Sequence, residues 1–184
     1  MALLVGPRGA AAQTAARPIF GTARAVAAAE VATTRLGGSW IPMAGGSLSF
    51  GLTPRIEIGG AARVGLSDAT VVRAGSVVRL HFGYAGVRLS VLPAPARWPA
   101  LRLGLLVGEG NADVKEPALG TLIDSDNGLV IEPSANWRRA LLPRVVASAD
   151  LSWRFASRFA LTSAVRSRDV RGPALGLSLS IGPF

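Results

Sequence analysis

The chain has 184 residues, 49% of them apolar, with 22 glycines, 12 prolines, no cysteine, and 20 basic against 11 acidic side chains for a formal charge of +9. One domain suffices for that length, disulfides and cysteine-ligated metals are excluded, and no apolar run approaches the roughly 18 residues a membrane helix needs. A mean hydropathy of +0.39 is nevertheless high for a soluble domain. A hydrophobic chain that cannot cross a membrane as helices can still cross it as a closed β-barrel, which satisfies every backbone group between strands.

Residues 1–18 read as an N-terminal tail. Its start, MALLVGPRGAAAQ, has a short apolar core and a small-residue stretch like a signal-peptidase site, without the basic n-region or the length of a complete signal. It is either the remnant of a signal peptide or an Ala-rich tail. A first strand is predicted over 20–35, where the alanines suit a helix equally well, and a second from Trp40 to Phe50. From Arg55, Ile56, Ile58, Ala62, Val64 and Leu66 alternate with Glu57, Gly59, Ala61, Arg63 and Gly65, the period-two signature of a two-faced strand.

Between Ser76 and Val91 the apolar set changes parity, from Val78, Leu80, Phe82 and Tyr84 to Val87, Leu89 and Val91, so a β-bulge is predicted near Ala85 and Gly86. Leu101, Leu103, Leu105 and Val107 oppose Arg102 and Gly104, and Leu129, Ile131, Pro133 and Ala135 oppose Glu132, Ser134 and Asn136. Val145 to Phe155 puts Leu151 and Trp153 opposite Asp150 and Arg154, and Leu175 to Ile181 alternates with Gly176, Ser178 and Ser180. Eight strands result. Their connections alternate short (52–54, 92–98, 137–143) with long and polar (67–75, 108–127, 156–172), as in bacterial outer-membrane barrels. The fold class is all-β: an eight-stranded antiparallel up-and-down transmembrane β-barrel, a meander over residues 19–184.

Trp40 and Trp153 fall at one set of strand ends and Trp98 and Trp137 at the other, where transmembrane barrels carry interface aromatics. On the polar faces, Glu57, Arg63, Arg79, His81, Arg88, Arg102, Glu132, Asp150 and Arg154 form a predicted lumen charge network. A barrel this narrow is filled by side chains, and each charge inside it needs a partner. His81 is the only histidine, and the triplet His81-Phe82-Gly83 lacks the serine that a hydrolase of His-x-Ser type would use; within the lumen His81 would pair with Asp150 or Glu132. Asp124, Asp126 and Gly128 supply half of a calcium-loop pattern without its distal Glu. No cofactor or metal is expected, and no catalytic residue is assigned.

The tail VRSRDVRGPALGLSLSIGPF, the segment IEPSANWRRALLPRVVASADLSWRF, and FGYAGVRLSVLP with LRLGLLVGEGNAD resemble the closing and middle hairpins of small outer-membrane β-barrel proteins of the OmpA-like and OmpX-like kind, including uncharacterised bacterial ones. The resemblance covers roughly the last 100 residues. It implies outer-membrane localisation, with outer-membrane lipid and the barrel-assembly machinery as partners, the latter reading Phe184 as its assembly signal. The parity of Leu177, Leu179 and Ile181 leaves Phe184 off the usual step. The expected function is that of a non-enzymatic, monomeric integral outer-membrane protein, with a structural or surface-interaction role through external loops. Scattered arginines without a basic stripe argue against nucleic acid. Periodicity alone does not separate inside from outside, so a soluble lipocalin-like barrel around a hydrophobic ligand stays open, as does a lipid-modifying enzyme.

Overall fold

A computed structural model describes residues 24–73, 75–159, 161 and 165–183. The tail 1–18, the first residues of the predicted 20–35 strand, and Phe184 lie outside them. The strands are β1 (Arg24–Leu36), β2 (Ser39–Gly51), β3 (Ile56–Gly65), β4 (Ala69–Arg73), β5 (Ser76–Val91), β6 (Leu101–Lys115), β7 (Leu122–Leu142), β8 (Val145–Ser157) and β9 (Gly172–Ile181). Apart from β3 and β4, each pairs antiparallel with its neighbour in sequence, and β9 returns to β1, with Ala27 opposite Ile181 and Thr34 opposite Ala174. β3 and β4 pair with successive parts of β5, so they form one stave interrupted at 66–68. The result is a ring of eight staves, whose closure through β9 and β1 and through β3 and β5 leaves free edges toward the loop end, along β4 and the start of β7. The predicted architecture stands, and Arg24–Leu36 is strand rather than helix.

Both ends of the described chain lie at one end of the ring, called here the terminal end, together with the connections 52–55, 92–100 and 143–144. The loop end carries 37–38, the β4–β5 link with Gly75, 116–121, and the described parts of the β8–β9 link, 158–159, 161 and 165–171. The long polar links expected over 67–75 and 108–127 are mostly strand. β6 runs on to Lys115 and β7 starts at Leu122, with Asn111 opposite Asn127 and Asp113 opposite Ser125. Alternation persists there with its sense reversed: Glu109, Asn111 and Asp113 are on the outer face, and Gly110, Ala112 and Val114 are buried inside. Polarity had looked like loop because the outer face itself turns polar.

The outer wall between the two ends is apolar. Along β8, Leu151, Trp153 and Phe155 are half exposed; along β9, Leu175, Leu177, Leu179 and Ile181 are 51 to 64% exposed. From Val145 to Phe155 the strand covers about 34 Å at about 3.4 Å per residue. A stave leaning about 40° turns that into an apolar band on the order of 25 Å tall, the height of an outer-membrane barrel's belt.

No bulge interrupts β5. It runs in continuous register from Ile56 opposite Val91 to Val64 opposite Gly83, and from Val91 opposite Leu103 to Arg79 opposite Lys115. The apolar residues change parity because the interior changes character. Near the loop end Val78, Leu80, Phe82 and Tyr84 point inward; lower down Arg88 and Ser90 do, and Val87 and Leu89 point outward. The inward apolar residues join Leu36, Ile41, Met43, Val114 and Val130 with Phe159, Val165 and Val170 of the 158–171 loop in one buried cluster. The Phe159 ring stands edge-on to Phe82 at 6.0 Å, and a Cβ at Gly128 would come within 2.5 Å of it. Phe159, Val165 and Val170 therefore fill the barrel mouth.

Candidate functional site

Below that apolar plug, inward positions of six staves bring charged side chains into three tiers. Nearest the terminal end, Glu57 of β3 receives two hydrogen bonds from Arg138 of β7, at 3.1 and 3.0 Å, and an ion pair from Arg102 of β6 at 3.2 Å. In the middle, Arg88 of β5 meets Asp150 of β8 at 3.0 Å, and Asn136 donates to the same carboxylate oxygen at 3.2 Å. Uppermost, Arg63 of β3 bridges Glu30 of β1 and Glu132 of β7, the latter at 2.5 Å. It also donates to the Tyr84 hydroxyl at 3.0 Å, which in turn donates to Glu132 at 2.5 Å. One carboxylate holding two guanidiniums and one guanidinium holding two carboxylates keep the column close to neutral, as low-dielectric surroundings require.

Arg154 of β8 is fully buried where the polar column meets the plug. Among the described residues no carboxylate forms an ion pair with it. Its guanidinium lies 4.7 Å from the Phe82 ring centroid and 5.6 Å from that of Tyr84. It donates to the carbonyl oxygens of Val170 at 2.6 Å and Arg35 at 3.4 Å. Cation–π contact and oriented carbonyls replace an anionic partner here. Arg154 thereby ties the β8–β9 loop to the end of β1.

Of the nine residues expected in a lumen network, Glu57, Arg63, Arg88, Arg102, Glu132, Asp150 and Arg154 point inward; Arg79 and His81 do not. Without the expected bulge, these two stand on the outer face of β5, where Arg79 and His81 pair with Asp68 at 3.1 and 3.0 Å and Lys115 approaches the same carboxylate at 3.9 Å. His81 thus pairs with neither Asp150 nor Glu132. Glu30, Tyr84 and Arg138 are lumen members that sequence reasoning missed, and Asn136, expected on the polar face with Glu132 and Ser134, joins them. Parity with Val26 and Thr34 marks Glu30, and parity with Glu132 and Ser134 marks Arg138 once β7 is carried past Trp137.

Two voids within the column measure about 20 and 10 Å³, room for on the order of one water each. Elsewhere in the lumen Arg102 Nη1, Asp150 Oδ1 and Ser152 Oγ are buried without a hydrogen-bond partner among the described residues. The half calcium loop is a strand, so Asp124 and Asp126 lie on one face while Ser125 and Asn127 lie on the other, hydrogen-bonded to Asn111 and Asp113; the oxygens do not converge. Among the described residues no cluster of three or more His, Asp or Glu side chains could hold a metal. The tryptophans are all about half exposed: Trp40 and Trp153 toward the loop end, Trp98 and Trp137 at the terminal end with Phe50.

No protein-family model matches the sequence, and no curated protein matches it. Solved structures do. The chain is similar to Neisserial surface protein A (13% identity, 86% of this chain and 96% of that one, TM-score 0.55). It is similar as well to Ail, the attachment invasion locus protein of Yersinia pestis, solved with the heparin analogue sucrose octasulfate (11%, 87% and 97%, TM-score 0.52). A third likeness is to the N-terminal β-barrel domain of Pseudomonas aeruginosa OprF (12%, 88% and 99%, TM-score 0.51). At such identities the likeness establishes the fold, that of the small OmpA- and OmpX-like barrels.

Proposed function

We propose that the chain is a non-enzymatic integral protein of the bacterial outer membrane, its lumen filled by side chains, acting structurally or through contacts made at its loop end. The observation that carries this is the inside-out distribution of polarity: an apolar outer band flanked by exposed tryptophans around a column of ion pairs. In water that band would be a continuous apolar surface far larger than soluble monomers expose; in lipid it is the expected exterior. The lipocalin-like reading needs an apolar chamber, and the apolar interior here is packed solid around Phe82 and closed by Phe159.

The hairpins β4–β5 and β6–β7 rise beyond the apolar band and end in exposed Val72, Leu119, Leu122 and Ile123. These tips would supply the surface contact. Outer-membrane lipid would surround the band, the barrel-assembly machinery would insert the chain with Phe184 as its signal, and the barrel would work as a monomer. The single histidine is engaged by a carboxylate between two cations, which supports a reading without catalysis. Fractionation tests the proposal. Recovery in the detergent-soluble outer-membrane fraction, with a gel mobility that changes on heating, is the expected result, and recovery as a soluble protein without detergent would refute it.

A further inference from the structure

The charges are sorted along the barrel axis in a way the lumen does not explain. The terminal end carries five exposed arginines: Arg24 at the start of β1, Arg55 in the β2–β3 turn, Arg97 in the β5–β6 connection, Arg139 on the last residues of β7, and Arg144 in the β7–β8 turn. Every connection at that end contributes one. None of the chain's 11 acidic side chains joins them. Glu30, Glu57, Glu132 and Asp150 point into the lumen, where Glu57, nearest this end, is already held by Arg102 and Arg138; the others, from Asp68 to Asp169, lie toward the loop end. Among the described residues no carboxylate pairs with any of the five.

These arginines border the apolar band directly. Arg139 stands on the outer wall two residues beyond Trp137, and the Arg97 guanidinium lies 5.5 Å from the Trp98 ring centroid. A long cationic side chain rooted beside exposed aromatics at the edge of an apolar wall places its charge at headgroup depth. We infer that the terminal end is a binding surface for anionic phospholipids, whose phosphodiester headgroups sit against this arginine ring in the adjoining leaflet. The inference rests on the membrane-barrel reading and adds a lipid class and a side to it.

The test uses the full chain refolded into phosphatidylcholine vesicles containing a minor share of phosphatidylglycerol, with one or the other lipid brominated to quench tryptophan. Trp40→Phe and Trp153→Phe leave Trp98 and Trp137 as reporters of the terminal end. At low salt, brominated phosphatidylglycerol should quench as though enriched about fivefold over its mole fraction, falling toward no enrichment near about 1 M salt. The variant carrying Arg24→Gln, Arg55→Gln, Arg97→Gln, Arg139→Gln and Arg144→Gln should lose the enrichment, and the corresponding five-lysine variant should keep it. The salt series on the unmutated arginines decides the matter even if the glutamine variant does not fold. Equal quenching by the two lipids at low salt would overturn the inference alone. Absence of quenching by brominated phosphatidylcholine as well would overturn the membrane reading and the inference with it.

Discussion

Replacing Arg63 with methionine probes the column where it is most tightly built. Arg63, Glu30 and Glu132 are 7, 7 and 3% exposed. The substitution leaves two carboxylates facing each other across a narrow lumen, with the Tyr84 hydroxyl as the remaining donor to Glu132. Breaking one buried pair costs about 3 to 5 kcal/mol, and two stranded carboxylates put Arg63→Met at the upper end of that range. With a urea slope of roughly 2 kcal/mol/M, the unfolding midpoint of the vesicle-embedded barrel, followed by tryptophan fluorescence, should fall by about 2.5 M. Adding Glu30→Gln and Glu132→Gln removes the stranded charges and should restore stability to within about 1.5 kcal/mol of the parent, since replacing a whole buried ionic group is close to neutral. A single variant that loses less than about 1 kcal/mol, or a triple variant that recovers nothing, would refute the account of Arg63 as the central tie of a desolvated network.

Other perturbations separate the remaining parts. Arg154→Met removes the donor to Val170 and Arg35, so the 158–171 loop should be cut faster by protease while the rest of the barrel stays resistant; an unchanged cleavage rate would deny the loop that anchor. A Cβ at Gly108 would stand 2.0 Å from the Ala85 carbonyl oxygen and 2.4 Å from Gly86 Cα, so Gly108→Val should abolish the heat-modifiable band, and its persistence would contradict the close approach of β5 and β6. Asp68→Asn should change stability by less than about 1 kcal/mol because its Arg79 and Lys115 partners are solvent-accessible; a larger loss in urea unfolding would mean that this outer cluster is structural.

Strict alternation, as along Val145 to Phe155 and Leu175 to Ile181, is enough to mark the staves and to sort their side chains onto two faces, because a one-residue slip would turn every side chain over; which face meets lipid it does not say. The same rule misled where the lumen changes from polar to apolar. Val78 to Tyr84 obeys period two perfectly, yet in a lumen that is dry at one end an inward face can be as apolar as the lipid-facing one. Arg79 and His81 were misplaced for that reason alone. Glu30 was hidden among alanines, and Arg138 lay beyond a Trp137 taken for the end of its strand. Which carboxylate meets which guanidinium depends on barrel stagger and tilt, quantities that no single strand encodes.

The uppermost tier also bears on how such a sequence can change over generations. Glu30, Arg63 and Glu132 meet in space although 33 and 69 positions separate them along the chain. A lineage that alters one of them alone inherits a stranded charge in a closed tube, while the leucines of the outer wall can be exchanged for one another at little consequence. Substitutions inside this barrel should therefore arrive as linked sets, positions 30, 63 and 132 together and positions 57, 102 and 138 together, and the barrel's ancestry would be written in its hidden residues as correlated trios against a freely drifting exterior.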